Sequence, residues 1–216
     1  EGADIGQFLK QLRDKQTSHE ILLKIHSKSD DVWRTRLLES MCGTIHQVLS
    51  ILAKFSNEPE LDMVAPQGCV FTPDTKEKGM FHRLVEKYDM KNNARAAFDV
   101  DTRNGMNNVH EIIGGRSDLG PEHMTIVAGT MFWVRESAIP MSMVSILNSD
   151  LRKNFSSGYK ANHGLEHILE RLMPSEIKYK GRKILDIQPA PKILAIYFPQ
   201  YHKSEINDRL WGENFT

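Results

Sequence analysis

Apolar and polar residues along the chain follow two periods, one helical and one strand-like. Residues 4–12 repeat with the period of a helix, and Asp4 occupies the expected N-cap position. The short apolar run at 20–26 predicts a buried strand. A longer i, i+3/i+4 rhythm covers residues 31–55, where Gly43 predicts a division into two helices.

Strand-like and helical segments continue to alternate beyond this point. Residues 62–66 predict a second strand, and residues 79–88 predict a helix. The most strand-like stretch is 123–134, with a bend expected at its glycine. A helix is expected from Glu136, and another over 164–173, ending before the proline that follows. Strands separated by helices predict a layered α/β domain with a mainly parallel sheet flanked by helices.

Composition excludes several functional classes. The chain has 28 basic and 28 acidic residues, so it lacks the basic excess that a nucleic-acid binder needs. No apolar run approaches the roughly 18 residues of a membrane-spanning helix, so no transmembrane segment is expected. The two cysteines, Cys42 and Cys69, are too few for a disulfide framework. An enzyme, a binding module and a structural protein all stay open.

A polar, mostly cationic segment follows the first predicted strand. It holds His26, Ser27 and Lys28 within residues 24–30. In open α/β sheets, ligands bind beyond the carboxyl ends of strands, so these side chains are expected to face a crevice. Lysine and histidine there could offset the charge of a sugar-nucleotide diphosphate. The alternative is a solvated loop in which Asp30 or its neighbour caps the next helix.

A second candidate segment, residues 128–135, combines small, aromatic and basic residues. Gly129 allows close approach of a ligand to the backbone, and Trp133 beside Arg135 suits a sugar ring whose hydroxyls are to be recognised. Core packing explains the aromatic residues equally well. Strand alternation sends Phe132 and Trp133 to opposite faces, so at least one of them is expected in the core.

A third candidate segment lies on the predicted helix near residue 170. The four-residue spacing places Glu166 with Glu170, and His167 with Arg171, on the same helical faces. A carboxylate there could accept the proton of an acceptor hydroxyl, and the histidine could support a phosphate or a metal ion. The alternative is an ordinary amphipathic helix whose leucines are buried.

The pair Asp99 and Asp101 has the D-x-D spacing used for magnesium or manganese and a diphosphate. Such a triplet is common by chance, and we interpret it as coincidental. His167 is a further metal candidate. No cofactor is therefore established by the residues, and Mn²⁺ or Mg²⁺ is left open.

Four sequence blocks, in this order, resemble the rhamnan synthesis F family of glycosyltransferases. They are Gly-Ala-Asp-Ile-Gly-x-Phe-Leu, Leu-Lys-Ile-His-Ser-Lys, Ala-Gly-Thr-Met-Phe-Trp-Val-Arg and His-x-x-Glu-Arg, within residues 2–174. The resemblance implies a GT-A-like fold that lacks its N-terminal strand or strands here. It also implies a nucleotide-activated deoxysugar such as rhamnose as donor and a polysaccharide or other glycan as acceptor.

The resemblance also implies roles for the candidate residues. The expected acid–base residues are Glu166, as the preferred base of an inverting transfer, and Glu170. The expected donor-binding residues are Asp4, His26, Ser27, Lys28, His167 and Arg171. The expected acceptor-binding residues are Gly129, Thr130, Trp133 and Arg135. Because the histidine and lysine stand where many such enzymes carry a metal-binding D-x-D, they are expected to replace much of the metal's electrostatic role.

The end of the chain, residues 192–216, carries the runs Ile-Leu-Ala-Ile-Tyr-Phe-Pro-Gln-Tyr-His and Asn-Asp-x-x-Trp-Gly-Glu-Asn-Phe-Thr. These runs resemble the opening of a glycoside-hydrolase-like domain found in polysaccharide-synthesis proteins. Residues 1–188 are therefore expected to form the later part of a glycosyltransferase domain, and residues 189–216 a linker and the first strand of a truncated second domain. The expected location is cytoplasmic, with peripheral contact to a membrane left open. The main alternative function is a non-catalytic glycan-binding module. A structural protein would instead place His26, Lys28 and Glu166 far apart.

Overall fold

The computed structural model describes residues 3–16, 18–72, 100–114, 119–155 and 164–189. Within these ranges the helices are α1 (Ala3–Asp14), α2 (Asp31–Cys42), α3 (Ile45–Asn57), α4 (Val100–Ile112), α5 (Met141–Ser145) and α6 (Leu165–Tyr179). The strands are β1 (Ile21–Lys24), β2 (Leu61–Pro66), β3 (Val70–Phe71), β4 (Ile126–Val127), β5 (Phe132–Arg135) and β6 (Lys183–Ile187). No helix in the described ranges has the length and apolar character needed to cross a membrane.

The main sheet has four strands in the order β1-β5-β2-β6. β5 runs antiparallel to both of its neighbours, and only β2 and β6 pair in parallel. The prediction of a mainly parallel sheet was therefore wrong. The predicted strand over 123–134 divides at its glycine, and its second half enters the sheet in the reverse direction between β1 and β2. Its first half, β4, pairs with β3 in a separate two-stranded sheet.

Helices cover both faces of the main sheet. Phe132 packs on one face with residues of α1, α4, α5 and α6, and meets Phe8 of α1 edge to face at 6.0 Å between ring centroids. Trp133 packs on the other face with residues of α2 and α3. The predicted alternation is confirmed, and the domain is a three-layer α/β/α structure.

Several predicted boundaries agree with the structure. The division of the long helix at Gly43 is confirmed, and Asp30 caps α2 by accepting a hydrogen bond from the backbone N–H of Trp33 at 2.7 Å. Asp4 lies inside the first turn of α1 and not at its cap. Its carboxylate is bound to Lys24 instead.

Other parts of the prediction need correction. α6 continues through Pro174, although a proline inside a helix costs about 3 kcal/mol. The helix persists because Met173, Pro174 and Ser175 are buried, and the Ser175 hydroxyl accepts a hydrogen bond from the backbone N–H of Thr125 at 2.9 Å. The helix expected from Glu136 begins as a single 3₁₀ turn.

Three elements, α4, β3 and β6, had no sequence prediction, and two predictions cannot be compared. α4 arises in a polar, glycine-bearing stretch without a clear period, and β6 arises in a run of mixed polarity. The helix predicted over 79–88 and the second domain predicted from residue 189 fall almost wholly outside the described residues. They stay predictions.

We expect Gly129→Ala to lower the free energy of unfolding by about 3 kcal/mol. Gly129 has φ +84°, and an added Cβ would lie 3.1 Å from Leu37 Cδ1 and 3.1 Å from Trp33 Cζ2. The control is Gly181→Ala, where φ is +68° and no described atom lies within 4 Å of the added Cβ, so only backbone strain of about 1 kcal/mol is expected. Urea denaturation measures both, and equal losses would contradict the role of close packing at Gly129.

Candidate functional site

The carboxyl ends of β1, β2 and β6 and the amino end of β5 meet at one edge of the main sheet, because β5 runs opposite to the other three. Polar side chains from four parts of the chain lie near this edge. We call them the polar cluster: Asp4, Lys24, His26, Lys28, Thr130 and Glu170. This is the edge at which a binding crevice is expected from the sequence.

The ammonium group of Lys24 joins the elements of the cluster. Lys24 is only 4% exposed, and its Nζ donates hydrogen bonds to the Asp4 carboxylate and, at 2.7 Å, to the carbonyl of Thr130. Burial lowers the pKa of Lys24, and the neighbouring carboxylate of Asp4 offsets part of that effect. For Asp4, burial raises the pKa, but Lys24, His26 and Lys28 together outweigh it, so the pKa is lowered.

His26 lies between the turn before β5 and Asp4. Its Nε2 is 2.7 Å from the carbonyl oxygen of Gly129 and 3.4 Å from Asp4 Oδ2. Because a carbonyl only accepts hydrogen bonds, Nε2 carries the proton. Burial and the charge of Lys28 lower the pKa of His26, so the ring is neutral at pH 7 and its Nδ1 is an acceptor.

The turn formed by Gly129 and Thr130 directs two carbonyls into the cluster. Both residues have positive φ, +84° and +50°, and threonine rarely adopts this conformation. The first carbonyl contacts His26 and the second accepts from Lys24. Strain of this kind persists where the surrounding structure imposes it, and it is concentrated at functional sites.

Glu170 reaches the cluster from α6. Its Oε1 accepts a hydrogen bond from the Thr130 hydroxyl at 3.3 Å. Burial, followed by the negative charge of Asp4, raises the pKa of Glu170 to about 6, while Arg171, Lys28 and Lys24 act in the opposite direction. A carboxylate with such a pKa is ionised at neutral pH and is a stronger base than an ordinary glutamate.

Lys28 contributes a second cation. Its Nζ lies 4.9 Å from the centroid of the Trp33 ring, and burial lowers its pKa, while the carboxylates of Asp4 and Glu170 oppose that effect. Ser27, which precedes it, is exposed. Lys28 therefore places a positive charge beside the two carboxylates.

A cleft of about 640 Å³ opens between α1 and β1, next to the polar cluster. Asp4, Lys24 and His26 of the polar cluster line it, as do apolar side chains such as Phe8 and Leu22. A cleft with apolar walls and a few convergent polar groups is typical of a small-molecule site.

The structure does not bring Trp133 and Arg135 into the cluster. Trp133 is buried, and its indole N–H donates to the carbonyl of Met41 at 2.9 Å. Arg135 Nε donates to the carbonyl of Leu61 at 2.9 Å, and its guanidinium lies over the ring of Phe55. These contacts join the sheet to α2 and α3. Of the other two predicted acceptor residues, Thr130 lies in the cluster, and Gly129 contacts it through the carbonyl bound to His26.

Of the candidate residues predicted on α6, only Glu170 is a member of the polar cluster. Glu166 is 2% exposed at the start of the helix, where its carboxylate lies against the backbone of Gly164. His167 and Arg171 are joined within the helix, because Arg171 Nη1 donates to the carbonyl of His167 at 2.7 Å. Glu170, one turn after Glu166, is the carboxylate that lies in the cluster.

The candidate metal ligands do not come together in the described part of the chain. Asp101 is exposed in the first turn of α4, and Asp99 lies outside the described residues. The described ranges contain no group of three or more His, Cys, Asp or Glu side chains that could hold a metal ion. Burial raises the pKa of the Cys69 thiol to about 12, so this residue is not a nucleophile at neutral pH.

The sequence places Lys24 in the cationic segment 24–30 but assigns it no role of its own, although it lies at the end of an apolar run. A lysine at the end of a buried strand is a signal in itself, because a buried ammonium requires partners. Those partners are 20 and 106 positions away in the chain, so only the fold identifies them.

We expect Glu170→Gln to increase stability at pH 7 by roughly 2 kcal/mol. The raised pKa means that the folded state prefers the neutral carboxyl, so unmodified Glu170 destabilises the fold above pH 6 and has no such effect below about 4.5. The stability difference from the unmodified chain should therefore grow between these pH values. Urea denaturation at pH 4.5 and pH 7 measures it, with Glu111→Gln, at an exposed position of α4, as control. A pH-independent difference would contradict the expected pKa of Glu170.

Comparison with known proteins identifies one family. The sequence model of the family described as rhamnan synthesis protein F, RgpF, matches residues 1–177. No curated protein matches the chain, and no solved structure matches it. The matched segment covers most of the chain and contains every member of the polar cluster. The chain therefore belongs to the rhamnan synthesis protein F family.

Proposed function

We propose that the chain is a glycosyltransferase domain that moves a sugar, a rhamnose-like deoxysugar, from a nucleoside-diphosphate donor to a growing polysaccharide or other glycan. The observation that carries this proposal is Glu170, a carboxylate whose pKa is raised to about 6 and which interacts electrostatically with Lys28 and Lys24 at the carboxyl edge of the sheet. A sugar transfer needs a base for the acceptor and positive charge for the leaving diphosphate, and both are near this edge. The family's role in rhamnan synthesis supports the choice of sugar.

In the proposed reaction, Glu170 accepts the proton of the acceptor hydroxyl. The hydroxyl oxygen forms a bond to the anomeric carbon of the donor sugar, and the bond from that carbon to the diphosphate oxygen breaks with its electron pair. A single displacement of this kind inverts the anomeric centre. Glu170 suits the role better than Glu166 does, because Glu170 keeps part of its surface exposed, whereas Glu166 is almost fully buried against the start of α6.

Lys28 and His26 are proposed to stabilise the negative charge on the leaving diphosphate. Lys28 supplies a full positive charge, and a neutral His26 becomes a donor at Nδ1 if it binds a proton. Lys24 is a positioning residue, because its ammonium is already bound to Asp4 and to the carbonyl of Thr130. Ser27 adds an exposed hydroxyl next to the same phosphates.

The polar cluster does not suit a divalent metal ion. Lys24 and Lys28 both lie close enough to Asp4 to lower its pKa, and the Asp4 carboxylate is already bound to Lys24. These cations would repel Mg²⁺ or Mn²⁺, whose preferred ligands are carboxylate and other oxygen atoms not engaged elsewhere. We therefore assign the charge-stabilising role to the side chains.

Donor binding should be independent of metal ions and dependent on Lys28. In excess chelator, one member of a panel of nucleoside-diphosphate sugars should raise the melting temperature, and Lys28→Met should weaken its binding about tenfold or more. Lys153→Met is the matched control, because Lys153 is exposed and pairs with the exposed Asp150 on the same 3₁₀ turn. A shift that requires added manganese would contradict the metal-free site, and a shift with glycans but with no donor would favour the non-catalytic binding module.

Transfer should depend on Glu170 more than on Glu166. Glu170→Gln should lower kcat by about 100-fold or more, because the acceptor loses its base, while donor affinity changes little. In the unmodified chain kcat/KM should rise as pH passes about 6, the pKa of Glu170. Product formation from labelled donor measures both. Normal turnover of Glu170→Gln together with loss of turnover in Glu166→Gln would reverse the assignment.

A further inference from the structure

We propose that Asp186 is a positioning residue of the polar cluster, acting through the turn at residues 66–69 on the carbonyls of Gly129 and Thr130. The effect of Asp186 on sugar transfer rests on the proposed function, whereas its effect on the geometry around His26 does not. Asp186 lies in β6, beyond the segment that matches the family model.

The parallel pairing of β2 and β6 places Asp186 opposite Ala65, next to the end of β2. Asp186 is an exposed residue, yet both of its carboxylate oxygens accept from the backbone N–H of Gly68, at 3.0 Å and 2.8 Å, and partial burial of the carboxylate raises its pKa. Aspartate is disfavoured within strands, so packing alone does not explain this residue. A charged acceptor for a backbone N–H is a stronger partner than a neutral one.

The bound segment is a tight turn that follows β2. The N–H of Cys69 donates to the carbonyl of Pro66 at 3.1 Å, and Gly68 has φ +69°, a conformation that favours glycine. Cys69 itself is buried in a small apolar cluster that includes Ala128. The carboxylate of Asp186 therefore holds the position of a turn whose far side is packed into the core.

The turn is joined directly to the segment that carries the cluster carbonyls. The carbonyl of Cys69 accepts from the N–H of Ala128 at 2.8 Å, and the pairing of β3 with β4 continues this contact. The N–H of Thr130 then donates to the carbonyl of Val127 at 3.1 Å. A displacement of the turn at residues 66–69 would therefore also displace Gly129.

The last contacts of this chain of hydrogen bonds reach the reactive side chains. The carbonyl of Gly129 contacts His26 Nε2 at 2.7 Å, and the carbonyl of Thr130 accepts from Lys24 at 2.7 Å. The Thr130 hydroxyl contacts Glu170. Asp186 therefore influences both the proposed base and the groups proposed to face the leaving diphosphate, although it touches neither.

The test compares Asp186→Ala and Asp186→Asn with Asp150→Asn, a change at an exposed aspartate paired with Lys153 on a separate 3₁₀ turn. Circular dichroism and thermal unfolding establish that each variant is folded. The pKa of His26 is then measured by NMR titration of its ring protons. The charged groups facing the ring, Asp4, Lys24 and Lys28, are unchanged in all three variants.

In Asp186→Ala we expect the pKa of His26 to fall, because the Gly129 carbonyl that favours the protonated ring moves away. We also expect kcat to fall about tenfold with a smaller change in donor KM. Asp186→Asn, which keeps one acceptor oxygen, should lie between this variant and the unmodified chain, and Asp150→Asn should match the unmodified chain.

A folded Asp186→Ala variant with an unchanged His26 titration would overturn the proposal. If the unmodified chain shows no transfer with any donor, the proposed function fails, and the His26 titration still decides whether Asp186 positions the cluster. Gly68→Ala provides a second variant that strains the same turn without removing a charge. A His26 titration that responds to neither change would equally overturn the proposal.

Discussion

The site depends on the hydrogen bonds that the buried ammonium of Lys24 makes. A charged group this far from solvent needs nearby partners, and among the described residues it donates hydrogen bonds to the carboxylate of Asp4 on α1 and to the carbonyl of Thr130 in the turn before β5. One side chain therefore joins the first helix, the edge strand and the reversed strand. Removing a partner would leave an uncompensated buried charge, so these three elements are held in one arrangement.

The reversed direction of β5 makes this arrangement possible. In a wholly parallel sheet the residues that precede a strand lie at the opposite edge from the residues that follow its neighbours. Because β5 runs the other way, the Gly129 and Thr130 turn meets the end of β1 and the end of β2 at one edge. The strained turn therefore belongs to the site because of the strand order, and its carbonyls become acceptors for Lys24 and His26.

The pKa of each ionisable group in the cluster depends on the charges of the others. Glu170 is destabilised as a carboxylate by burial and by Asp4, while Lys24 and Lys28 favour its ionised form. The same burial lowers the pKa of both lysines and of His26. Opposite shifts in neighbouring acids and bases are a feature of catalytic sites, because they bring proton affinities toward neutral pH. This pattern, together with membership of a family of rhamnan synthesis proteins, is the physical argument behind the proposed sugar transfer.

Sequence periodicity determined the local elements well. The strand at 20–26, the helical pair divided at Gly43 and the Asp30 cap all depend on neighbouring residues, and local hydrogen bonding and apolar spacing decide them. The polar segment after the first strand was also identifiable from sequence. The direction of β5, the passage of α6 through Pro174 and the choice of Glu170 over Glu166 as the carboxylate in the cluster came only from the tertiary structure. Each depends on contacts between residues far apart in the chain. No local pattern encodes these contacts, and they decide which polar group is buried in the core and which one lies in the site.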